Sequence, residues 1–247
     1  MLRVRGLSQR YPNGKLALTD FSLTVEAGEL VVVLGGNGSG KTTLLRCVTR
    51  TVKPTAGEIW LGETNLCALE GESLRRARLE LAMIWQHASL VGRSTVLANV
   101  ASGALGRHST LRTVLAGMPT SELESARGHL TEVGLADLAE QRAGTLSGGQ
   151  AQRVAIARAL AQRPRVILAD EPVASLDPEA AEEIMRLLQR LAASERIAVL
   201  CVLHQVELAY TYADRVIGIR AGRLAFDLPR SDVSRETVHR LYLPEAA

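Results

Sequence analysis

The chain has 247 residues, of which 47% are hydrophobic and 22% are charged, so it can build the core of one large domain or two small ones. Its net charge of +3 is too small to indicate nucleic acid as a partner. Its apolar runs, such as IAVLCVLH, fall far short of the roughly 18–20 residues that cross a bilayer, so other chains would have to supply any membrane channel.

The N-terminal region predicts a small antiparallel sheet. The apolar segments LRVRGLSQRY, LALTDFSLTVEAG and GEIWLGE partly alternate with polar residues and are separated by turn residues, which is typical of paired strands. ELVVVLGG, at residues 29–36, is instead a continuous β-branched run. Such a run indicates a buried strand of a parallel sheet.

The glycines that end this strand open a phosphate-binding motif. GGNGSGKT fits the pattern G-x-x-x-x-G-K-S/T, and KTTLLRCVTR follows with helical spacing. In this pattern the glycines let backbone N–H groups wrap phosphates, the lysine reaches the outer phosphates, and the threonine hydroxyl ligates Mg²⁺. The motif therefore predicts a nucleoside triphosphate site. Its defining residues are Gly35, Gly40, Lys41 and Thr42.

The middle third predicts a helical subdomain. Residues 89–162 contain no convincing strand, and TSELESARGHLTEVG has helical apolar spacing with Ser121 as its cap. In TLSGGQAQRVAIARAL, the residues from Ser147 open a further helix. N–H groups at such a helix start attract anions, but this stretch has no lysine and amounts to half of a phosphate site. The predicted apolar face is Val154, Ile156, Ala157 and Leu160.

Two further buried strands end in candidate catalytic residues. RVILADEP and RIAVLCVLH flank PEAAEEIMRLLQRLAAS, an amphipathic helix with proline in its first turn. Strands that alternate with helices predict a parallel sheet covered on both faces. Asp170, at the end of its strand, can hold Mg²⁺, and the neighbouring Glu171 can orient and deprotonate an attacking water.

These motifs follow the order found in ATP-binding cassette (ABC) ATPases. LSGGQ, at residues 146–150, resembles the signature of that family. Tyr11 matches the aromatic residue that stacks on adenine, Gln86 the glutamine loop, and SLD at residues 175–177 the loop that crosses the dimer interface. His204 ends the last apolar strand, where the family has its switch histidine.

The resemblance covers about residues 1–225 and implies the fold and its divisions. The fold class would be α/β: a P-loop NTPase ABC cassette with a RecA-like parallel-sheet core, an N-terminal antiparallel β subdomain and an inserted α-helical subdomain. Residues 1–247 would form a single ABC ATPase domain. Its parts would be the core at 1–88 and 163–225, the helical signature subdomain at 89–162 and a short C-terminal extension at 226–247.

The resemblance also implies the residues that hold ATP and Mg²⁺. The catalytic residues would be Glu171, His204 and Gln86. The Mg²⁺ ligands would be Thr42, Gln86 and Asp170. The residues that contact ATP would be Tyr11, Gly35, Asn37, Gly38, Ser39, Gly40, Lys41, Thr42, Thr43, Ser147, Gly148, Gly149, Gln150 and Asp177.

The incomplete phosphate site has an explanation in this family, in which two cassettes face each other head to tail. ATP on the lysine loop of one chain is covered by the signature helix of the other. The signature needs no lysine, because the other chain supplies it. One chain with one copy of each motif would therefore pair with a second copy of itself, and Ser147 would meet the γ-phosphate across the interface.

The segment after Gln86, where a cassette contacts its membrane partner, indicates an importer. LVGRSTVLANVASGALGR, ILADEPVASLDPEAA and VLHQVELAY resemble the cassettes of phosphonate importers. Trp85 and His87 stand where that subfamily more often has Phe and Gln, and Gly36 stands where many cassettes have proline. The implied partners are integral-membrane permease subunits and, indirectly, a substrate-binding protein, at the cytoplasmic face of the cell membrane.

Several alternatives stay open at this point. The ATPase does not touch the cargo, so phosphonate, phosphite and phosphate all remain possible. The chain could also serve a phosphonate-degrading complex, or act as a soluble energy-coupling ATPase without a membrane partner. Cys47, Cys67 and Cys201 lack metal-ligand spacing, and their odd number favours reduced thiols in a cytoplasmic compartment.

Overall fold

A computed structural model describes residues 1–108 and 117–243. Its strands are β1 (Leu2–Arg10), β2 (Leu16–Val25), β3 (Leu30–Leu34), β4 (Ala56–Leu61), β5 (Thr64–Asn65), β6 (Leu81–Ile84), β7 (Val166–Asp170), β8 (Ala198–Val202), β9 (Arg215–Arg220) and β10 (Arg223–Pro229). Its helices are α1 (Lys41–Val48), α2 (Gly71–Arg78), α3 (Val96–Ala101), α4 (Thr120–Glu132), α5 (Gly148–Ala161), α6 (Pro178–Glu195), α7 (Val206–Tyr212) and α8 (Arg235–His239). None of the helices within these described ranges is both long enough and apolar enough to cross a membrane.

The strands of the described residues form two sheets. The smaller has the order β2-β1-β4-β5 and is antiparallel throughout, which confirms the predicted N-terminal sheet. The larger has the order β10-β9-β3-β8-β7-β6. It is parallel from β9 to β6, and β10 joins its edge antiparallel to β9. The three predicted buried strands lie side by side at its centre.

The larger sheet is buried on both faces because successive side chains of a strand point to opposite sides. Leu30, Val32 and Leu34 of β3 pack in one core with residues of α3, α4, α5 and α6. Val31 and Val33 pack on the other side with residues of β1, β2, β4 and α1. The prediction of a sheet covered on both faces is confirmed, and the phosphate-binding motif leaves this sheet at the end of its central strand.

The middle region is helical, with one correction to the predicted boundaries. Within the described parts of residues 89–162 there is no strand, and residues 109–116 lie outside those parts. Ser121 is not the cap of its helix, because α4 begins one residue earlier and Pro119 occupies the N-cap position without a side-chain cap. The N–H group of Glu122 already donates to the Pro119 carbonyl at 3.0 Å, which places Ser121 inside the first turn.

Candidate nucleotide-binding site

The lysine loop joins β3 to α1 and depends on glycine at defined positions. Gly38 and Gly40 have φ of 76° and 113°, a region that glycine occupies without steric penalty. A Cβ added at Gly40 would lie 2.6 Å from the Ala17 carbonyl oxygen, so the β2 backbone leaves no room for a side chain. Gly40 is also the N-cap residue of α1 and makes no side-chain cap. The first N–H groups of α1 are therefore open to an anion.

Lys41 is held in place by the loop that precedes it. Its side chain is buried, and Nζ donates to the carbonyl oxygens of Gly35 at 2.7 Å and Gly36 at 3.0 Å. Burial lowers the pKa of Lys41, and the charges of Glu171 and Asp170 act against this shift. Its direct hydrogen-bond partners are neutral carbonyls, so the ammonium is available to an anionic group that enters the loop.

The loop also contains a polar atom that the chain itself leaves unsatisfied. Ser39 Oγ is buried and has no hydrogen-bond partner, and such a group is destabilising unless a ligand or water satisfies it. Above the loop is a cleft of about 190 Å³. An oxygen-rich ligand such as a phosphate fits this position. The residues that line the cleft are Tyr11, Lys15, Ala17, Asn37, Gly38, Ser39, Gly40, Lys41, Thr42, Thr43, Glu171 and His204.

Two strand ends bring an acid and a histidine to the same cleft. β7 and β8 are parallel neighbours, so the residues that follow them emerge at one edge of the sheet. His204 Nε2 lies 2.6 Å from Glu171 Oε1. Burial raises the pKa of Asp170, and the nearby charge of Glu171 raises it further. The site therefore pairs a carboxylate with an imidazole close to the phosphate-binding loop.

The signature residues form a helix start at a different place on the chain. Ser147 caps α5: its Oγ accepts the N–H of Gln150 at 3.2 Å, and Gln150 Oε1 accepts the N–H of Ser147 at 3.0 Å. Cβ atoms added at Gly148 and Gly149 would lie 3.2 Å from the side chains of Leu176 and Ala180. The glycines thus allow close packing against the start of α6. The predicted apolar face of α5 is buried, as expected.

The structure brings some predicted site residues together and leaves others apart. Tyr11, residues 37–43, Glu171 and His204 share the cleft, and the Tyr11 hydroxyl lies 3.2 Å from Thr43 Oγ1. Gln86 is exposed in the loop after β6. Asp177 caps α6 by accepting the N–H of Ala180 at 3.0 Å. The cleft lining includes neither of these two, and it includes no residue of Ser147–Gln150, all of which the structure describes.

Sequence reasoning missed Lys15 and Ala17 as lining residues. Lys15 lies in the turn between β1 and β2, where its carbonyl accepts the N–H of Tyr11 at 2.9 Å. One signal was present: Lys15, Lys41 and Lys53 are the chain's only lysines. Lys53 pairs with Glu70 at 3.2 Å, away from the cleft. The remaining two lysines both reach the candidate site.

The sequence matches the ABC transporter family over residues 18–174. It is 47% identical to the phosphonates import ATP-binding protein PhnC of Shouchella clausii, over 98% of this chain and 91% of that protein. It is 44% identical to phosphonates import ATP-binding protein PhnC 1 of Rhodopseudomonas palustris, over 98% of this chain and 86% of that protein. These similarities extend well beyond the motifs.

The fold is similar to solved structures of the same kind. The structure of cbiO1 from Clostridium perfringens, part of the ABC transporter complex cbiONQ, superposes with a TM-score of 0.85 and 28% identity over 97% of this chain and 92% of that one. The ATP-binding cassette MJ0796, in a dimeric post-hydrolysis state bound to ADP and Pi, superposes with a TM-score of 0.79 and 30% identity. The superposition covers 93% of this chain and 99% of that one. Sequence and fold lead to one conclusion: this chain is an ATP-binding cassette and belongs to the ABC transporter family.

Proposed function

We propose that this chain is the ATP-hydrolysing subunit of an importer that takes up phosphonates or related reduced-phosphorus anions through a separate permease. The observation that carries the proposal is its 41–47% identity, over 98% of its length, to proteins named as phosphonate import cassettes. The cleft above the lysine loop supports the ATPase part of the proposal. The cargo rests on the relatives alone, because a cassette does not touch it.

In this proposal ATP lies in the cleft with its phosphates on the lysine loop. The open N–H groups of α1 and the unsatisfied hydroxyl of Ser39 meet phosphate oxygens. Lys41 Nζ exchanges the carbonyls of Gly35 and Gly36 for the outer phosphates. Tyr11, which directly follows β1 and lines the same cleft, stacks on the adenine.

Glu171 is the proposed general base. Its carboxylate orients a water and accepts its proton, and the contact with His204 holds the carboxylate in one orientation. The Thr42 hydroxyl and the Asp170 carboxylate supply the hard oxygen donors that Mg²⁺ prefers, and Gln86 would add its amide oxygen on closure. When bound, Mg²⁺ would neutralise part of the negative charge of the phosphates.

The proposed assembly is a head-to-tail pair of cassettes beneath two permease subunits, at the cytoplasmic face of the inner membrane. A substrate-binding protein would deliver the cargo from the other side. The separation of Ser147 from the cleft supports this arrangement, because a signature helix that acts on phosphate must then act on the phosphate of another chain. The dimer reported for MJ0796 adds support.

Growth on different phosphorus sources tests the cargo. In a strain without another importer of these compounds, deletion of the gene should abolish growth on methylphosphonate or phosphite and spare growth on abundant phosphate. The intact gene and a Glu124→Gln control should restore growth, because Glu124 is exposed on α4. A Glu171→Gln gene should not restore it, because import needs ATP hydrolysis.

Uptake of labelled methylphosphonate by whole cells separates the remaining alternatives. Loss of uptake in the deletion strain supports an importer. Normal uptake with blocked use of the compound would instead assign the chain to a degrading complex. Normal uptake and normal use of the compound in the deletion strain would show that the chain does not import reduced-phosphorus anions. The chain would then be an ATPase with a different cargo.

A further inference from the structure

The turn between β1 and β2 carries the second lysine of the candidate site. Two backbone hydrogen bonds close it: the N–H of Tyr11 donates to the Lys15 carbonyl, and the N–H of Gly14 donates to the Tyr11 carbonyl, both at 2.9 Å. The N–H of Lys15 also donates to Asn13 Oδ1 at 3.1 Å. These bonds fix the backbone that bears the side chains of Tyr11 and Lys15.

Hydrogen bonds tie this turn to the lysine loop at both of its ends. At the first end, the Tyr11 hydroxyl lies 3.2 Å from Thr43 Oγ1, in the first turn of α1. Beyond the second end, the N–H of Thr19 on β2 donates to the Gly222 carbonyl at 2.9 Å, and the N–H of Gly222 donates to the Ser39 carbonyl at 2.9 Å. The position of the turn relative to the loop is therefore set by direct contacts.

Strand geometry directs the Lys15 side chain to the cleft. Lys15 immediately precedes β2, which begins at Leu16, and side chains two positions apart on an extended chain point to the same side. Lys15 and Ala17 both line the cleft above the loop. Leu16, between them, does not line it and is 44% exposed. The ammonium group of Lys15 thus belongs to the same cleft as the lysine loop.

The ammonium group of Lys15 has no partner among the residues that the structure describes. The side chain is exposed, and its Nζ takes part in no hydrogen bond or ion pair within those residues. The other two lysines differ: Lys53 pairs with Glu70 at 3.2 Å, and Lys41 donates to carbonyls of the loop. Of the three lysines, Lys15 is therefore the one that is left to solvent or to a ligand.

The cleft suits a ligand that carries several negative charges. Its charged lining consists of Lys15, Lys41 and Glu171, with His204 next to the carboxylate. Lys41 begins α1, whereas Lys15 lies in the turn between β1 and β2, so the two ammonium groups come from separate elements. Positive charges that line one cleft attract an anion together. A nucleoside triphosphate that fills the cleft would therefore meet two ammonium groups.

We propose that Lys15 is a second cationic binding residue for ATP, whose ammonium group contacts phosphate oxygens of the nucleotide on the lysine loop. The role rests on the proposed ATPase function, because the phosphates are those of its substrate. Lys41 is buried and fixed, whereas Lys15 is exposed and acts as a flexible point charge. The affinity for ATP should therefore depend on the charge of residue 15 and little on the shape of its side chain.

Lys15→Gln tests the role in the full-length chain, because it removes the charge and keeps the backbone hydrogen bonds of the turn. The Kd for ATP, measured by calorimetric titration, should rise about 2- to 10-fold, as expected for a charged contact that stays partly in solvent. Lys15→Arg keeps the charge and should restore the affinity. Lys53→Gln is the matched control: it removes the same charge from an exposed lysine that pairs with Glu70 away from the cleft, and it should leave the Kd unchanged.

Adenosine separates a contact with phosphate from an effect on the turn. It has no phosphates, so its affinity, measured by displacement of a fluorescent ATP analogue, should be the same for Lys15→Gln and wild type. An equal loss of affinity for adenosine would show that residue 15 acts through the turn, and the phosphate contact would be wrong. If the wild-type chain binds ATP and Lys15→Gln binds it equally well, or Lys53→Gln binds it as weakly as Lys15→Gln, the role of Lys15 is wrong and the ATPase proposal stands. If the wild-type chain binds no ATP, the ATPase proposal itself fails, and this role fails with it.

Discussion

Glu171 has a backbone conformation that non-glycine residues seldom adopt. Its φ is 52°, in the left-handed region, where a side chain normally raises the conformational energy. The surrounding backbone fixes this geometry: the N–H of Glu171 donates to Val202 at 3.0 Å, and its carbonyl accepts the N–H of Ala174 at 3.2 Å. The turn thus aims the carboxylate at His204 instead of along the strand.

Replacement of Glu171 by Gln tests its role as the base. Gln is nearly isosteric, so ATP should still bind, whereas hydrolysis should fall by about 10²- to 10⁴-fold, the usual contribution of general acid–base catalysis. Steady-state phosphate release and equilibrium ATP binding measure the two effects. Glu124→Gln is the control carboxylate, and Lys41→Ala should lose binding itself. Turnover at the normal rate in Glu171→Gln would assign the base to another residue.

The site residues that could be predicted from the sequence are those that belong to a local motif or directly follow a recognisable strand. Lys41 and Thr42 follow a glycine pattern within one loop, and Glu171 directly follows a strand. The scarcity of lysine was the only signal for Lys15, and no local spacing places it in the site, because the turn between β1 and β2 brings it to the loop only when the two sheets pack.

At the scale of elements, the segment after Gln86 and the signature helix are closely joined. The 3₁₀ segment Ser102–Arg107 runs against α5, and a Cβ added at Gly103 would lie 2.0 Å from the Arg158 carbonyl oxygen. Arg158 in turn donates to the carbonyls of Ala88 at 2.7 Å and Ser89 at 3.0 Å. The guanidinium of Arg158 on α5 therefore ties the loop after Gln86 directly to the signature helix.

Gly103→Ala should destabilise the fold by about 1–3 kcal/mol, because the added methyl group meets backbone and forces the segment away from α5. Gly128→Ala is the matched control on α4. There an added Cβ meets nothing within 4 Å, and the better helix former should stabilise the protein by up to about 1 kcal/mol. Urea unfolding of both variants measures the opposite shifts. Equal stability of Gly103→Ala and wild type would contradict this prediction, because it would show that the 3₁₀ segment can move away from α5 at no cost in free energy.

The elements that escaped sequence prediction carry few apolar residues or an interrupted apolar run. α2 has no buried residue; ion pairs of Glu72 with Arg75 and Arg76, at 2.6 and 3.1 Å, accompany it instead. β9 carries a glycine in its interior, which weakens a strand pattern, and that glycine makes room for Phe226 and Leu241. The buried strands β3, β7 and β8 were predictable because apolar runs are their only requirement.

At the scale of the whole molecule, each proposed ATP site draws on two chains. Lys41→Ala disables the loop half of a site and Ser147→Arg the signature half. In a mixed pair of these two variants, one site keeps both intact halves. ATP-dependent dimerisation is therefore expected for the mixture and not for either variant alone, as measured by size-exclusion chromatography with light scattering. If the mixture shows no more ATP-dependent dimerisation than either variant alone, the proposal that each site is shared between two chains is contradicted.

The side-chain cap of α5 leaves Ser147 able to bind a phosphate of a second chain. A serine hydroxyl has one hydrogen to donate and two lone pairs that accept. Ser147 uses one of its lone pairs for the N–H of Gln150 and has its hydrogen left to offer. It can keep the helix capped and bind a phosphate oxygen of another chain at the same time. A second cassette would thus meet a donor that is already preorganised, with no contact to break before the two halves close on the nucleotide.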